Sequence, residues 1–448
     1  MSLFAHRDYR RLFGAQLVAL FGTGLATVAL GLLAYELAGA DAGAVLGTAM
    51  AIKMITYVTV APVAGAYADR VPRRTTLVCL DAVRALVVLA LPFVDQVWQI
   101  YALIAVLQSA SAAFTPTFQA VLPDILPDQR DYTRALSASQ LASTMESLLS
   151  PVLAAAVLSV LSFHWLFAGT SVGFVLSATF VVSTTIPDAV RSSRRGVWER
   201  TTAGVRIYLA TPRLRGLMGL NLVLAATGSV VIVNTVNYVQ DTLGRSQADV
   251  ALLLAANGAG TILVALALPP LLGRVAERPV MVVGGLVMLT GMAGAVALSA
   301  VPAGGGRWPA SLLLWGVLGA GAALVLTPVG RVLRRSAIPG DRPAIFAAQF
   351  SLLHACWLLA YPIAGWLGTT AGFTTTWIVL AVLAGTGLVV ALRSWPRHDP
   401  DLLEHDHHAP LDDPDHLHDA TEVEPGVWRH RHSFLIDDEH RRWPAGVR

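Results

Sequence analysis

Three ionisable side chains, one basic, one acidic and one imidazole, stand inside apolar runs of this chain. Lys53, the only lysine among 448 residues, is set in TAMAIKMITYV; Glu146 is set in STMESLLSP and His354 in QFSLLHACW. An isolated charge at the centre of a membrane helix costs at least about 2.5–3.5 kcal/mol on insertion scales, so each must face protein or water. Residues of this kind mark proton relays and substrate paths. Protonation of Glu146 would release Lys53 and change the net charge of any cavity they share, which is one way to couple proton entry to substrate movement. His354 has an unperturbed affinity for protons near neutral pH and is a third coupling candidate, although a single intramembrane histidine also serves as a hydrogen-bonded packing residue. For the charged pair the alternatives are a structural ion pair, a lysine snorkelling to an interface, and a lysine that neutralises an anionic substrate.

Other chemistries lack their residues. A P-loop needs G-x-x-x-x-G-K-[ST], and the sole lysine is preceded by AMAI, so no nucleotide is bound that way. HExxH and CxxC are absent, and Cys79 and Cys356 sit in separate apolar segments as packing residues. We therefore expect no enzyme, no resident cofactor, no nucleic acid partner and a gradient as energy source.

The elements that must position these groups follow from composition. With 55% hydrophobic and 14% charged residues and a mean hydropathy of +0.60, the chain belongs in a bilayer, since soluble domains carry about a quarter charged residues. Runs near 12–36, 43–67, 76–96, 98–121, 136–161, 164–186, 214–239, 247–271, 279–301, 309–332, 344–369 and 372–394 are long enough to span, and twelve helices are expected because lipid does not tolerate unpaired backbone groups. The first run is read as a retained span. Arginines recur in every second connection (Arg7, Arg10, Arg11; Arg70, Arg73, Arg74; Arg130, Arg134; Arg191 to Arg213; Arg274, Arg278; Arg334, Arg335, Arg342), which places both termini in the cytoplasm.

The chain also repeats. YRRLFGAQLV (9–18) aligns with LRGLMGLNLV (214–223), pairing Gln16 with Asn221; Thr115-Pro116 and LPDQR (126–130) recur as Thr327-Pro328 and IPGDR (338–342). This predicts a bundle of residues 1–186, a basic linker of 187–213 and a second bundle of 214–395, all α-helical. Parallel repeats place a substrate site at their interface near mid-membrane, exposed alternately as one half rocks against the other. Polar and aromatic side chains at that depth are the candidate cavity residues: Gln16, Asn221, Asn234, Asn237, Tyr238, Asn257, Gln349, Trp357 and Tyr361. Trp357 and Tyr361 share a helical face and suit a flat amphipathic substrate, or helix packing.

GAYADRVPRR (65–74) resembles the signature loop of the major facilitator superfamily, G-x-x-x-D-R-x-G-R-R. Gly65, Asp69, Arg70, Arg73 and Arg74 match, and Pro72 replaces the usual glycine. Asp81-x-x-Arg84 and the prolines downstream are similar to the drug-antiporter-like branch that includes macrolide-efflux and enterobactin-export permeases. The resemblance implies a twelve-helix fold, export, a bacterial cytoplasmic membrane, a monomer, and spans 2 and 5 lining one half–half interface, where Lys53 and Glu146 would meet. A carboxylate and guanidiniums at cytoplasmic helix ends can form charge-assisted bonds between the halves, so these loop residues with Asp81 and Arg84 are read as a conformational latch.

Beyond Pro396 the composition turns polar, with thirteen acidic residues against six arginines and nine of the twelve histidines. The 396–448 tail is expected to be largely disordered, with VWRHRHSFLIDDEHRRW as a possible short docked element. His405, His407, His408, His416, His418, His430 and His432 are candidate ligands for Ni²⁺, Co²⁺ or Zn²⁺. Two functions follow: a proton-coupled exporter of small amphipathic organic compounds, and a divalent-cation exporter that uses the tail as a collector.

Overall fold

A computed structural model describes residues 4, 6–67, 72–126, 128–186, 197–272, 274–301, 306–336, 342–399, 402–408, 421–424, 427–436, 440 and 443. Runs that cannot leave backbone groups unpaired in lipid become helices. The first set is α1 (Arg7–Ala38), α2 (Ala42–Tyr67), α3 (Arg73–Ala90), α4 (Val97–Ile125), α5 (Gln129–Leu158) and α6 (His164–Val182). A linker helix, α7 (Val197–Ala210), leads to α8 (Pro212–Ser229), which continues through π-helical turns at Val230–Asn234 and Tyr238–Thr242 around the single turn α9 (Thr235–Asn237). Then come α10 (Gln247–Leu272), α11 (Glu277–Ser299), α12 (Arg307–Leu326), α13 (Val329–Arg335), α14 (Arg342–Thr370) and α15 (Gly372–Ser394).

Among the described residues ten stretches are long and apolar enough to cross a membrane, against the twelve expected. The difference has two sources. One stretch, Arg7–Val60, runs through both α1 and α2, which are parted only by the short turn at Gly39–Asp41. α5, many of whose residues lie outside those whose side chains are described, is not among the ten.

The helices pack in two sets. In the first set α1 lies on α6 and α5, α2 on α4, and α3 on α4 and α6; in the second α8 lies on α15 and α14, α10 on α12, and α11 on α12 and α15. Matching polar ties fix the corresponding helices. Ser139 Oγ donates to Gln16 Oε1 at 2.8 Å between α5 and α1, and Asn221 and Gln349 exchange two bonds of 3.1 Å between α8 and α14. The two sets meet along α2 with α14 and α5 with α10.

The tail departs from expectation. Its described residues form a sheet of order β1-β3-β2 from β1 (Leu402–His408), β2 (Thr421–Glu424) and β3 (Val427–Ser433), with β1 and β3 antiparallel from Leu402↔Ser433 to His408↔Val427. Arg429 bonds Asp406 through two nitrogens at 2.6 and 2.9 Å, and that carboxylate holds the guanidinium above its usual range. Leu403, Phe434 and Ile436 are buried in the main apolar core, and Trp443 packs on Phe434 and over Arg213 at 5.3 Å. Asp399 ties the start of the tail to Arg213 (3.5 Å), Arg335 (3.2 Å) and the Trp395 indole (3.1 Å). A charge count overlooks such a segment because a few spaced aliphatic and aromatic groups are enough when a preformed bundle end supplies the rest of the core.

Candidate functional site

Lys53 and Glu146 lie on α2 and α5, the helices of the first set that pack most extensively on the second. Both are partly buried, and their charges are close enough to interact, yet neither has a hydrogen-bond or ion-pair partner for its charged atoms among the described residues. A close approach of α1 sets the carboxyl's position. A Cβ built on Gly24 would overlap the hydroxyl of Ser150 and lie 2.5 Å from Glu146 Oε1, so only glycine fits there. Ser150 is buried, and its hydroxyl also lacks a partner.

One turn from Lys53, Tyr57 reaches across to α14. Its ring stacks on His354 at 5.3 Å and 5° and lies 5.8 Å from Phe350. His354 Nδ1 donates to the Phe350 carbonyl at 2.6 Å, which fixes the ring's rotation and leaves its other nitrogen as the variable one. Trp357 and Tyr361 stack at 4.9 Å on the same helix, and the Trp357 ring lies so close over Gly228 that a Cβ there would clash. A charged pair in the first set therefore faces an aromatic strip in the second. The sequence pointed to Lys53, Glu146 and His354 but missed Tyr57 and Phe350, which are ordinary aromatics in an apolar run until the halves are set together. Ser150 and Gly24 had no signal at all.

The ends of the bundle away from the termini are closed. Tyr35 on α1 donates to Asp241, and Asn237 Nδ2 donates to the Gly39 and Ala40 carbonyls at 3.1 and 3.2 Å. Beneath these, Gly43 and Gly47 of α2 meet Gly365 of α14; a Cβ on Gly47 would lie 2.8 Å from the Tyr361 carbonyl and 3.0 Å from Gly365 Cα. Small residues let membrane helices approach this closely, and Gly43 and Gly47 have the G-x-x-x-G spacing of such contacts.

Most cavity candidates are occupied otherwise. Gln16, Asn221 and Gln349 form the ties described above, and Tyr208 of α7 donates a further bond to Gln349. Asn234 donates to the Ala364 carbonyl at 2.8 Å, Asn257 to the Trp315 carbonyl at 3.0 Å, and Tyr238 is buried on Trp315 with its hydroxyl 3.0 Å from Ser311. Their polar atoms serve helix packing, and only Trp357 and Tyr361 remain beside the aromatic strip. Asn221→Leu should lower thermal stability by about 1–3 kcal/mol, the usual cost of leaving a buried partner unpaired, in a melting curve of purified protein.

The latch residues also resolve differently. Asp69 and Arg70 lie outside the described residues, as does the surrounding of Gly65. Arg74 donates to the Val182 carbonyl and Arg11 to that of Ser183, ties within the first set, and Arg73 is buried. Asp81 and Arg84 bond each other inside one half: Ser177 donates to Asp81 at 2.8 Å, and the guanidinium lies between the rings of Phe114 and Phe174 at 4.0 and 4.5 Å. They join α3 to α6 and do not bridge the halves.

The side chains of His405, His407, His408, His430 and His432, and the whole of His416 and His418, lie outside the described set. Among the described residues no group of three or more His, Cys, Asp or Glu is arranged to hold a metal ion.

Comparison with known proteins agrees with this architecture. A POT family transporter crystallised in complex with 5-aminolevulinic acid superposes with a TM-score of 0.67 at 14% identity, covering 87% of this chain and 96% of that one. A D-xylose-proton symporter gives 0.64 at 16% identity over 87% and 98%, and a bacterial homologue of the lysosomal transporter Spinster in an inward-facing conformation gives 0.65 at 13% over 87% and 98%. These likenesses are to the fold. An uncharacterized MFS-type transporter, YfiS of Bacillus subtilis (strain 168), is 28% identical over 124 residues, which span 28% of this chain and 30% of that relative. The model of the Major Facilitator Superfamily matches residues 12–227 and again 217–430. The chain belongs to the Major Facilitator Superfamily, and its work is membrane transport, not catalysis.

Proposed function

We propose that this protein is a proton-coupled exporter of small amphipathic organic compounds in a bacterial cytoplasmic membrane, with both termini in the cytoplasm and twelve helices in two six-helix halves. The observation that carries this reading is the Glu146 carboxyl and Lys53 ammonium, within electrostatic reach of each other and without a hydrogen-bond or ion-pair partner among the described residues, beside an aromatic strip of Tyr57, Phe350, His354 and Trp357 on the helices that join the halves. Such charges are costly at membrane depth and persist where a pathway needs them. The aromatic faces suit a flat apolar substrate, and the two charges let proton entry alter what the site holds.

For proton entry to drive export, proton and substrate must occupy the site alternately: ionised Glu146, beside Lys53, takes a cationic or hydrogen-bonding group of the substrate on the side of the termini, and a proton entering from the other side neutralises the carboxyl and displaces that group. The protonated site then returns and releases its proton on the side of the termini. The closed contacts among Tyr35, Asp241 and Asn237 belong to the state open toward the termini, the side from which an exporter loads. The histidine-bearing tail supports a divalent-cation reading only by composition, since its described residues hold sheet and core.

The test is flux in proteoliposomes with ethidium and a panel of aromatic amphipathic compounds under an imposed pH gradient. Wild type should accumulate substrate against its gradient, and Glu146→Gln should transport only downhill, with no dependence on pH. Uphill flux by Glu146→Gln with unchanged pH dependence would overturn the reading.

A further inference from the structure

We infer that Gly24 and Ser150 build a docking notch for the protonated Glu146 carboxyl, so that α1 transmits the proton state of α5 to the closed end of the bundle. The inference rests on the coupling role proposed for Glu146 and names the residues that position it.

Three observations converge. First, Oε1 of Glu146 and Oγ of Ser150 crowd the same point on α1, where Gly24 alone leaves room. Second, neither oxygen has a hydrogen-bond partner among the described residues, although Ser150 is only 2% exposed. A carboxylate in such a place is heavily penalised, whereas a neutral carboxyl can donate its O–H to Ser150, a turn away on its own helix; Ser143, a turn in the other direction, already donates to the Ser139 carbonyl at 3.2 Å. Third, α1 runs without interruption from Gly24 to Tyr35, a rise of about 16 Å at 1.5 Å per residue, and its far end carries the bond to Asp241 and a tight contact of Gly31 with Val236. A helix wedged at one end by a carboxyl and bonded across the halves at the other is a lever between them.

The charged form has somewhere else to go. Lys53 of α2 acts electrostatically on Glu146, while Glu146 and Arg84 of α3 act on Tyr57 of α2, and Lys53 on His354 of α14. α1 has no titratable residue between Arg11 and Tyr35, and α10, which packs on α5 from the other half, has none between Asp249 and its end. α4 and α6, which α5 also touches, place theirs (Tyr101, Asp124, His164) near their ends. Loss of the proton thus drives the carboxylate out of the notch toward Lys53, and α1 loses the wedge that holds its present tilt.

Infrared pH titration of purified protein in lipid reads the carboxyl directly. Glu146→Gln identifies the Glu146 band by its loss. Ser150→Ala removes no existing bond and should fold; it should lower the pH midpoint of that band by about half to one unit, the size of one net hydrogen bond, and shift its frequency. Spin labels at Asp41 and Ser246, with Cys79 and Cys356 replaced, should show the same fall in the midpoint of opening in Ser150→Ala, and Gly24→Ala should open that end at every pH. If the band and the opening keep their midpoints in Ser150→Ala while Glu146→Gln still abolishes proton-driven flux, the notch is wrong and the coupling role stands. Proton-driven flux that survives Glu146→Gln refutes the coupling role itself.

Discussion

Gly365→Val yields a folded protein whose flux falls at least about tenfold. The carbonyl of Gly43 and the Cα of Gly47, 3.0 Å away, already occupy the space that the first side-chain carbon would need. Both sides of this contact are helix backbone, so nothing flexible can yield, and overpacking of this kind costs about 1–3 kcal/mol. Because the clash arises only when α2 and α14 are closed at this end, the cost falls on one state of the cycle and shifts the population toward the other. The measurement is proteoliposome flux together with size-exclusion chromatography to confirm folding. Gly385→Val on α15 is the control, since a Cβ at Gly385 meets nothing within 4 Å and flux should be retained.

Arg84→Leu lowers the stability of the first half by about 3–5 kcal/mol, because it strands the fully buried Asp81 with one serine bond as its only compensation. The pair combines a direct ion pair with stacking of the guanidinium between Phe114 and Phe174, so Lys at position 84 should rescue only part of the loss. The double variant Asp81→Leu/Arg84→Leu should recover most of it, as no unpaired charge remains. Thermal melts of wild type, Asp81→Leu, Arg84→Leu and the double variant form the double-mutant cycle, and additive losses would show that the two residues act independently.

Much of the architecture was legible before any coordinates. Hydropathy located the helices, and the pairing of Gln16 with Asn221 foretold ties that occupy corresponding places in the two sets. The same pairing misled about purpose. A polar side chain inside an apolar run signals that a partner is needed, and the sequence does not say whether that partner is substrate or the neighbouring helix. For Asn221, Gln349, Asn234 and Asn257 it is a helix. Lys53 and Glu146 differ because a lone charge is too costly to bury for packing alone, and they stand apart as groups without a direct partner. Tyr57 and Ser150 were hidden for another reason: their importance comes from what crosses to meet them, His354 from α14 and Gly24 from α1, and composition holds no record of such approaches. The tail erred in the opposite sense, since its charges suggested a solvated chain while Phe434, Ile436 and Trp443 supplied enough apolar surface to dock.

The central claim is that the proton state of a carboxyl between the halves sets which end of the bundle is open. The most direct measurement is the spin-label distance between Asp41 and Ser246 in lipid as a function of pH, in wild type and in Glu146→Gln. Wild type should hold the short distance at acidic pH and lengthen it as the pH rises, and Glu146→Gln should stay at the short distance throughout. A wild-type distance that ignores pH, or a variant that follows wild type, would contradict the account.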